Sequence, residues 1–273
     1  MAVPPTSRRS ATALAAPITY PLDAFSTPAV LKAKAGRSIS VVIPARNEAA
    51  TIAAVVDAVR LPHLAAAGGS GLVDDLVVVD DGSSDDTGAL AEAAGAVVHR
   101  TAGSGGKGQA MAEGLRACRG ELVVFLDGDV ENTHAGYLPA LVGPLLERPE
   151  VVFVKGYYDR PLAGSVTGGG RVTELVARPV LDLLYPDLSA VLQPLAGETA
   201  AWRTTLEEIG FDDDYGVEMG LLLDVAARHG VGAIAQVDLG VRIHRNRPIE
   251  ELRPMARDVL EAAFRRSGAT FPS

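Results

Sequence analysis

Short apolar runs rich in Val, Ile and Leu punctuate the first half of the chain. They are Ile39–Ile43 (ISVVI), Leu76–Val79 (LVVV), Ala96–His99, Leu122–Leu126 (LVVFL) and Val151–Lys155 (VVFVK). None alternates apolar with polar positions, which is the mark of strands covered on both faces. Between them lie longer Ala- and Leu-rich stretches of helical spacing: Ala49–Arg60, Gly88–Ala94, Gln109–Cys118 and Tyr137–Leu146. Strand and helix in strict alternation predict an α/β domain with a Rossmann-like, mostly parallel sheet flanked by helices.

Each run ends on polar residues, and ligands of open α/β sheets collect at that edge. The run from Leu122 stops at Asp127-Gly128-Asp129. Two carboxylates cannot lie unpaired inside the sheet, because burying a lone charge is costly. The pair suits a hard divalent ion such as Mg²⁺, which takes carboxylate oxygens and substrate phosphates. As a bare motif it also fits a solvated acidic turn. Pro44-Ala45-Arg46-Asn47-Glu48 ends the first strand, with Asn47 either a helix N-cap or, with Glu48, a contact to a base or ribose. Asp80 or Asp81 stands at the end of the second, while Asp85 or Asp86 suits a helix N-terminus. Thr101–Gly108 (TAGSGGKG) lacks both the Walker and the dinucleotide-fold glycine spacing. Its bare amides, its helix start and Lys107 still suit a pyrophosphate.

The second half changes character. Gly168–Gly170 precede Arg171, Val172 and Thr173 at a helix start, a second anion site in pattern. Ser189–Leu195 reads as strand-like, and Trp202 and Arg203 as helical. Tyr215 and Glu218 open the helix Met219–Arg228, and Val231–Val237 is a strand. In Leu239–Pro248 (LGVRIHRNRP), alternation places Arg242, His244 and Asn246 on one face. His244 is the one histidine in polar company; His63, His99, His134 and His229 read as surface or packing residues. Ile249–Arg266 is an amphipathic terminal helix.

Composition narrows the picture. With 273 residues and a net charge of −9, non-specific nucleic-acid binding is disfavoured. The single cysteine, Cys118, precludes an internal disulfide, fits a cytoplasmic setting and reads as a small packing residue. No apolar run approaches a membrane span, and the opening segment has no signal-peptide core. Three regions follow: a poorly ordered lead-in (1–37), a donor-binding part (38–160) and an acceptor-binding part with the terminal helix (161–273).

PARNE at 44–48, DDGS at 80–83, GKG at 106–108 and DGD at 127–129 together resemble GT-A glycosyltransferases. TGGGRVTELVARP at 167–179, LQPLAGE at 192–198, YGVEMGLLLD at 215–224 and AIAQVDLGVRIHRNRP at 233–248 resemble the glucosyl-3-phosphoglycerate synthases and their mannosyl relatives. The resemblance implies a GT-A fold and a retaining, metal-dependent hexosyltransferase that joins UDP-glucose to 3-phosphoglycerate as a homodimer. Carried over by position, it implies that Pro44, Ala45, Asn47, Glu48 and Asp81 meet the donor nucleoside. Lys107, Asp127, Gly128, Tyr215, Glu218 and Arg242 would hold the rest of the donor, with Lys107, Asp127 and Glu218 catalytic. Asp129 and His244 would ligate Mg²⁺, or Mn²⁺ in its place. Gly170, Arg171, Thr173 and Asn246 would bind the acceptor. Competing readings are a GDP-mannose enzyme, a polyprenyl-phosphate sugar transferase and a non-catalytic nucleotide-sugar binder. A polyprenyl-phosphate enzyme gives no role to GGGRVTE.

Overall fold

The computed structural model describes residues 16–64, 71–162, 165–168, 170–243 and 248–268, with side chains for all of these except 161, 162 and 165–168. Eight strands form one sheet: β1 (Ile18–Tyr20), β2 (Ile39–Ala45), β3 (Asp75–Asp80), β4 (Val97–Arg100), β5 (Leu122–Phe125), β6 (Phe153–Asp159), β9 (Thr199–Trp202) and β10 (Ile234–Val241). A hairpin of β7 (Pro161–Leu162) and β8 (Ser165–Gly168) stands apart. The strand order is β1-β10-β6-β9-β5-β2-β3-β4. Every pairing is parallel except those of β9, which runs antiparallel to both β5 and β6.

Side chains of the central strands alternate between two cores. Val41, Ile43, Leu122 and Val124 point to one face, and Val42, Val123 and Phe125 to the other. The first face is covered by α1 (Thr27–Lys34), α2 (Ile52–His63), α3 (Thr87–Ala93) and α5 (Tyr137–Glu147). The second is covered by α4 (Lys107–Ala117), α6 (Arg178–Leu184), α7 (Arg203–Ile209), α8 (Val217–His229) and α9 (Ile249–Ser267). Burial on both sides explains why the strands carry no polar alternation.

Several expectations need correction. Of the lead-in, residues 16–37 are built in: β1 extends the sheet beside β10, and Val30 of α1 is fully buried. Ser189–Leu195 forms turns, and the strand is the next segment, β9. Pro194 cannot donate to a ladder, whereas the small Thr199-Ala200-Ala201 fits between two strands. Trp202 ends that strand, with the Arg37 guanidinium 5.8 Å from its ring, and Arg203 begins α7. Asn47 is no N-cap. It adopts a left-handed φ of 57°, and α2 starts after Thr51. The two halves expected from the sequence share one sheet, since β9 and β10 come from the second.

The helix carrying Arg171 opens with a π turn over Thr173–Ala177. Pro179 explains the widening. It has no N–H for the carbonyl four residues back, and the Arg178 amide reaches Thr173 O instead.

Candidate active site

The C-terminal edge of the parallel strands opens into a cavity of about 450 Å³. Every described residue named above as a site candidate lines it: Pro44, Ala45, Asn47, Glu48, Asp81, Lys107, Asp127, Gly128, Asp129, Gly170, Arg171, Thr173, Tyr215, Glu218 and Arg242. His244 and Asn246 lie outside the described residues. The chain up to them is placed, however. The Glu131 amide donates to Ile243 O (2.9 Å), and the Ile243 amide donates to Asn132 Oδ1 (2.8 Å). Residue 243 thus runs beside the turn that follows Asp129.

At one end of the cavity, the strand ends of β2 and β3 are tied together. The Asn47 amide donates to Ser83 Oγ (3.0 Å), and the Ser84 amide donates to Asn47 Oδ1 (2.8 Å). These bonds account for the left-handed Asn47, a conformation asparagine tolerates. Asp85 accepts from the Thr87 amide (3.1 Å) and the Ala49 amide (3.2 Å), so it caps this corner as expected.

The glycine loop is arranged differently from the phosphate cradle its pattern suggests. The amides of Gly105 (2.8 Å) and Gly106 (3.1 Å) donate to the Asp81 carboxylate, as does Ser104 Oγ (3.1 Å). Asp81 occupies the positive end of α4 itself. What the loop delivers to the cavity is the Lys107 side chain.

Lys107 Nζ lies 2.6 Å from Asp127 Oδ1 and 2.5 Å from Glu218 Oε1. Burial alone would lower the Lys107 pKa, but these two carboxylates outweigh it and hold it well above the ordinary value. An ammonium has three donors, so one remains after these two bonds. Asp127 Oδ2 accepts from Arg242 Nη2 at 2.8 Å. Burial would raise the Asp127 pKa, yet Lys107 and Arg242 together hold it far below the carboxylate range. Arg242 Nη2 also donates to Asp129 Oδ1 (2.7 Å). The two carboxylates of the Asp-Gly-Asp turn do converge on one point, and a guanidinium nitrogen is what they meet.

A hard divalent ion fits this arrangement through Asp129. Its second oxygen has no partner among the described residues, and its side chain is 19% exposed at the cavity. Asp127 has both oxygens committed to cations and fits less well as a ligand. Among the described residues no three His, Cys, Asp or Glu side chains form a ready-made metal cage. Mg²⁺ characteristically makes do with one or two carboxylates, keeping waters and substrate phosphates as its other ligands.

Arg171 and Thr173 also line the cavity, with Arg160 and Thr173 both near Gly170. Thr173 is buried and forms the first position of the π turn. Residues 212–214 pack against the glycine loop, and Arg266 clamps them by donating to Asp212 Oδ2 (2.6 Å) and Asp224 Oδ2 (2.6 Å). That clamp ties α9 to the segment presenting Tyr215 and Glu218. Sequence patterning missed Tyr158, Arg160 and the α9 wall formed by Leu252, Met255 and Val259. It also missed Glu198, which lies behind the cavity. The helical period of α9 was visible, but nothing in it marks the face that reaches the cleft.

A mostly parallel sheet with an acid pair at its ligand edge, and a cavity there that also holds Lys107, Arg171 and Arg242, is the arrangement of a nucleotide-sugar glycosyltransferase of GT-A architecture. Residues 40–168 match the family model for glycosyl transferase family 2. The chain belongs to the glucosyl-3-phosphoglycerate synthase family. It is 50% identical over 250 residues to the glucosyl-3-phosphoglycerate synthase of Mycobacterium tuberculosis (strain ATCC 25618 / H37Rv), covering 86% of this chain and 75% of that protein. It is 40% identical over 247 residues to the Petrotoga mobilis glucosyl-3-phosphoglycerate synthase, covering 86% and 75%. A crystal structure of the Mycobacterium tuberculosis synthase in complex with Mn²⁺, UDP-glucose and phosphoglyceric acid superposes with a TM-score of 0.86 at 46% identity, over 95% of this chain and 90% of that one. The same synthase in complex with Mg²⁺ and UDP gives a TM-score of 0.85 at 45% identity, over 93% and 88%.

Proposed function

We propose that this chain transfers glucose from UDP-glucose to the 2-hydroxyl of 3-phosphoglycerate, with a divalent cation. The observation that carries the reading is one cavity lined by candidate anchors for all three: the tied strand ends at Asn47, the Asp127–Asp129 pair, and Arg171 with Thr173.

The nucleoside sits against Pro44–Glu48 and Asp81. The third donor of Lys107 reaches the diphosphate or the sugar, while its bonds to Asp127 and Glu218 fix its position. Asp129, with His244, holds the cation, which when bound acts as a Lewis acid for the departing UDP. Glu218 and Asp127 orient sugar hydroxyls, with Tyr215 and Arg242 beside them. Gly170, Arg171, Thr173 and Asn246 hold the two anionic ends of the acceptor, so that proximity supplies much of the rate. Asp127, gripped by two cations, is a poor nucleophile. Retention of configuration is what the family resemblance implies; with a covalent intermediate through Asp127 disfavoured, the acceptor hydroxyl attacks on the face the nucleotide leaves and passes its proton to the departing diphosphate oxygen.

The deciding experiment incubates the protein with 3-phosphoglycerate, Mn²⁺ and either UDP-glucose or GDP-mannose, and identifies the product by mass and anomeric coupling. An α-glucosyl product from UDP-glucose supports the reading; a product from GDP-mannose alone refutes it. The protein acts in the cytoplasm on this reading; its buried single thiol is compatible, and no helix of the described residues is long and apolar enough to cross a membrane. It acts as a homodimer, for which the exposed Leu175 and Leu183 (74% and 81%) offer an apolar face. Sedimentation at twice 28.3 kDa tests that.

A further inference from the structure

Glu198 is 1% exposed and does not line the cavity. It stands just before β9, and because β9 is antiparallel, that position falls at the edge where β5 delivers Asp127. Both Glu198 oxygens face one nitrogen, Arg242 Nη1, at 2.8 and 2.9 Å. The other terminal nitrogen, Nη2, faces forward to Asp127 and Asp129. Tyr158 Oη accepts a further bond from Nη1 at 2.7 Å. The loop carrying Glu198 is pinned as well. Lys155 Nζ donates to Ala196 O (3.0 Å), and the Gly156 amide donates to Glu198 O (2.8 Å).

One guanidinium is therefore shared between a hidden acid behind it and two cleft acids in front. A buried ion pair is a weak device for stability, because desolvation offsets most of its attraction. It is a strong device for placing a charge. With Glu198 ionised, part of the Arg242 charge is neutralised from behind, and its Nη1 is fixed there while Nη2 bonds Asp129. Without that charge, the guanidinium would turn its full attraction on the Asp127–Asp129 pair and compete with any other cation there.

We propose that Glu198 is a positioning residue that sets the divalent-cation affinity of Asp129 by drawing off part of the charge of the Arg242 guanidinium bonded to it. This rests on the reading of Asp129 as a metal ligand.

The test compares the unaltered protein with Glu198→Gln, Arg242→Gln and the double variant. Mn²⁺ binding in the presence of UDP is read from the free-ion electron paramagnetic resonance signal, and kcat is measured against Mn²⁺ concentration. Glu198→Gln should bind Mn²⁺ about tenfold more weakly. At saturating Mn²⁺ its kcat should return to within about threefold of the parent, a split that a merely structural role would not give. In the Arg242→Gln background, adding Glu198→Gln should change Mn²⁺ affinity by less than about threefold, because the effect runs through Arg242. Should Glu198→Gln fail to fold, Glu198→Asp takes its place: its carboxylate is drawn back from Nη1, Mn²⁺ binding should weaken by more than about threefold, and parental affinity overturns the proposal. Equal Mn²⁺ affinity in Glu198→Gln and parent, or a tenfold loss that persists without Arg242, overturns the proposal. If the unaltered protein binds no Mn²⁺ with UDP, the metal reading itself fails and takes the proposal with it.

Discussion

Gly197 is the tightest test of how the site is held. A Cβ built there would stand 2.5 Å from both Cγ and Oδ2 of Asp127, and nearer still to Oδ1. Ordinary contact begins at 3.4 Å, so in Gly197→Ala the carboxylate must retreat by at least about 0.9 Å, and its Oδ1 by more. It cannot do so freely. Lys107 grips one oxygen at 2.6 Å and Arg242 the other at 2.8 Å, so the shift stretches at least one charged bond beyond hydrogen-bonding reach. Uncoupling one member of a buried charged pair costs about 3 kcal/mol. In a chain of this size that lowers the melting temperature by roughly 6–12 °C. An ångström of misplacement in a reacting group costs about 10²-fold in rate.

Gly197→Ala should therefore lose about 10²-fold in kcat/KM while remaining folded at assay temperature. UDP release with 3-phosphoglycerate and Mn²⁺ measures the rate, and calorimetry the stability. Gly170→Ala serves as the steric control. Its Cβ would meet Thr173 at 3.5 Å, ordinary contact, so its melting temperature should stay within about 2 °C of the parent. Gly197→Ala within about threefold of parental kcat/KM would refute the claim that Asp127 is held without slack.

Three further outcomes are expected. Asp129→Ala should abolish Mn²⁺-dependent transfer while the protein stays folded at assay temperature; full activity would reject Asp129 as a ligand. Arg171→Ala should raise the KM for 3-phosphoglycerate by about tenfold or more and leave that for UDP-glucose nearly unchanged. An unaltered acceptor KM would count against the Arg171 anion site. Lys155 gives a pH test. Burial pulls its pKa down from 10.5 to about 8, with Glu218 opposing and Lys107 reinforcing the shift. Between those values the unfolded chain binds more protons than the folded one, so stability contributed by this group rises with pH from about 8 to 10.5. The full window corresponds to about 3 kcal/mol. Urea titrations at pH 7.5 and 9.5 span about 1.5 units of it and should show a gain of about 2 kcal/mol in the parent and not in Lys155→Met. Equal gains in both would reject it.

What the sequence reveals and what it hides have distinct physical origins. Strands buried on both faces are legible because nothing polar interrupts them, and their ends are legible because charges cannot be carried inward. Asp127, Asp129 and Asp81 were located that way, and Lys107 from the glycine-rich stretch that opens α4. Gly170, Arg171 and Thr173, singled out by glycines ahead of a basic helix start, do line the cavity. Glu198 was invisible for the opposite reason. It lies in a run of small residues, Ala196-Gly197-Glu198-Thr199-Ala200-Ala201, with weak strand propensity and no period. The Asp81–loop bonds were hidden too, since a carboxylate that serves a nucleotide and one that caps a loop look alike in one dimension.

The antiparallel strand connects these points. In a purely parallel sheet, every strand presents its C-terminal end at the ligand edge, and each polar group there arrives after an apolar run. β9 breaks that rule. Its first residue, Thr199, pairs with the last of β5, Phe125, and with Lys155 on β6. What precedes it, Gly197 and Glu198, is thereby placed against Asp127 and Arg242 from the far side of the sheet edge. Four carboxylates (Asp127, Asp129, Glu198, Glu218) and three cations (Lys107, Lys155, Arg242) meet there, with one negative charge in excess when all are ionised. A cluster in that state attracts one more cation, and an anionic diphosphate alone would be repelled by it. A reversed strand thus lets a buried acid shape the charge of a cleft it never touches, and Gly197 is the gap through which it does so.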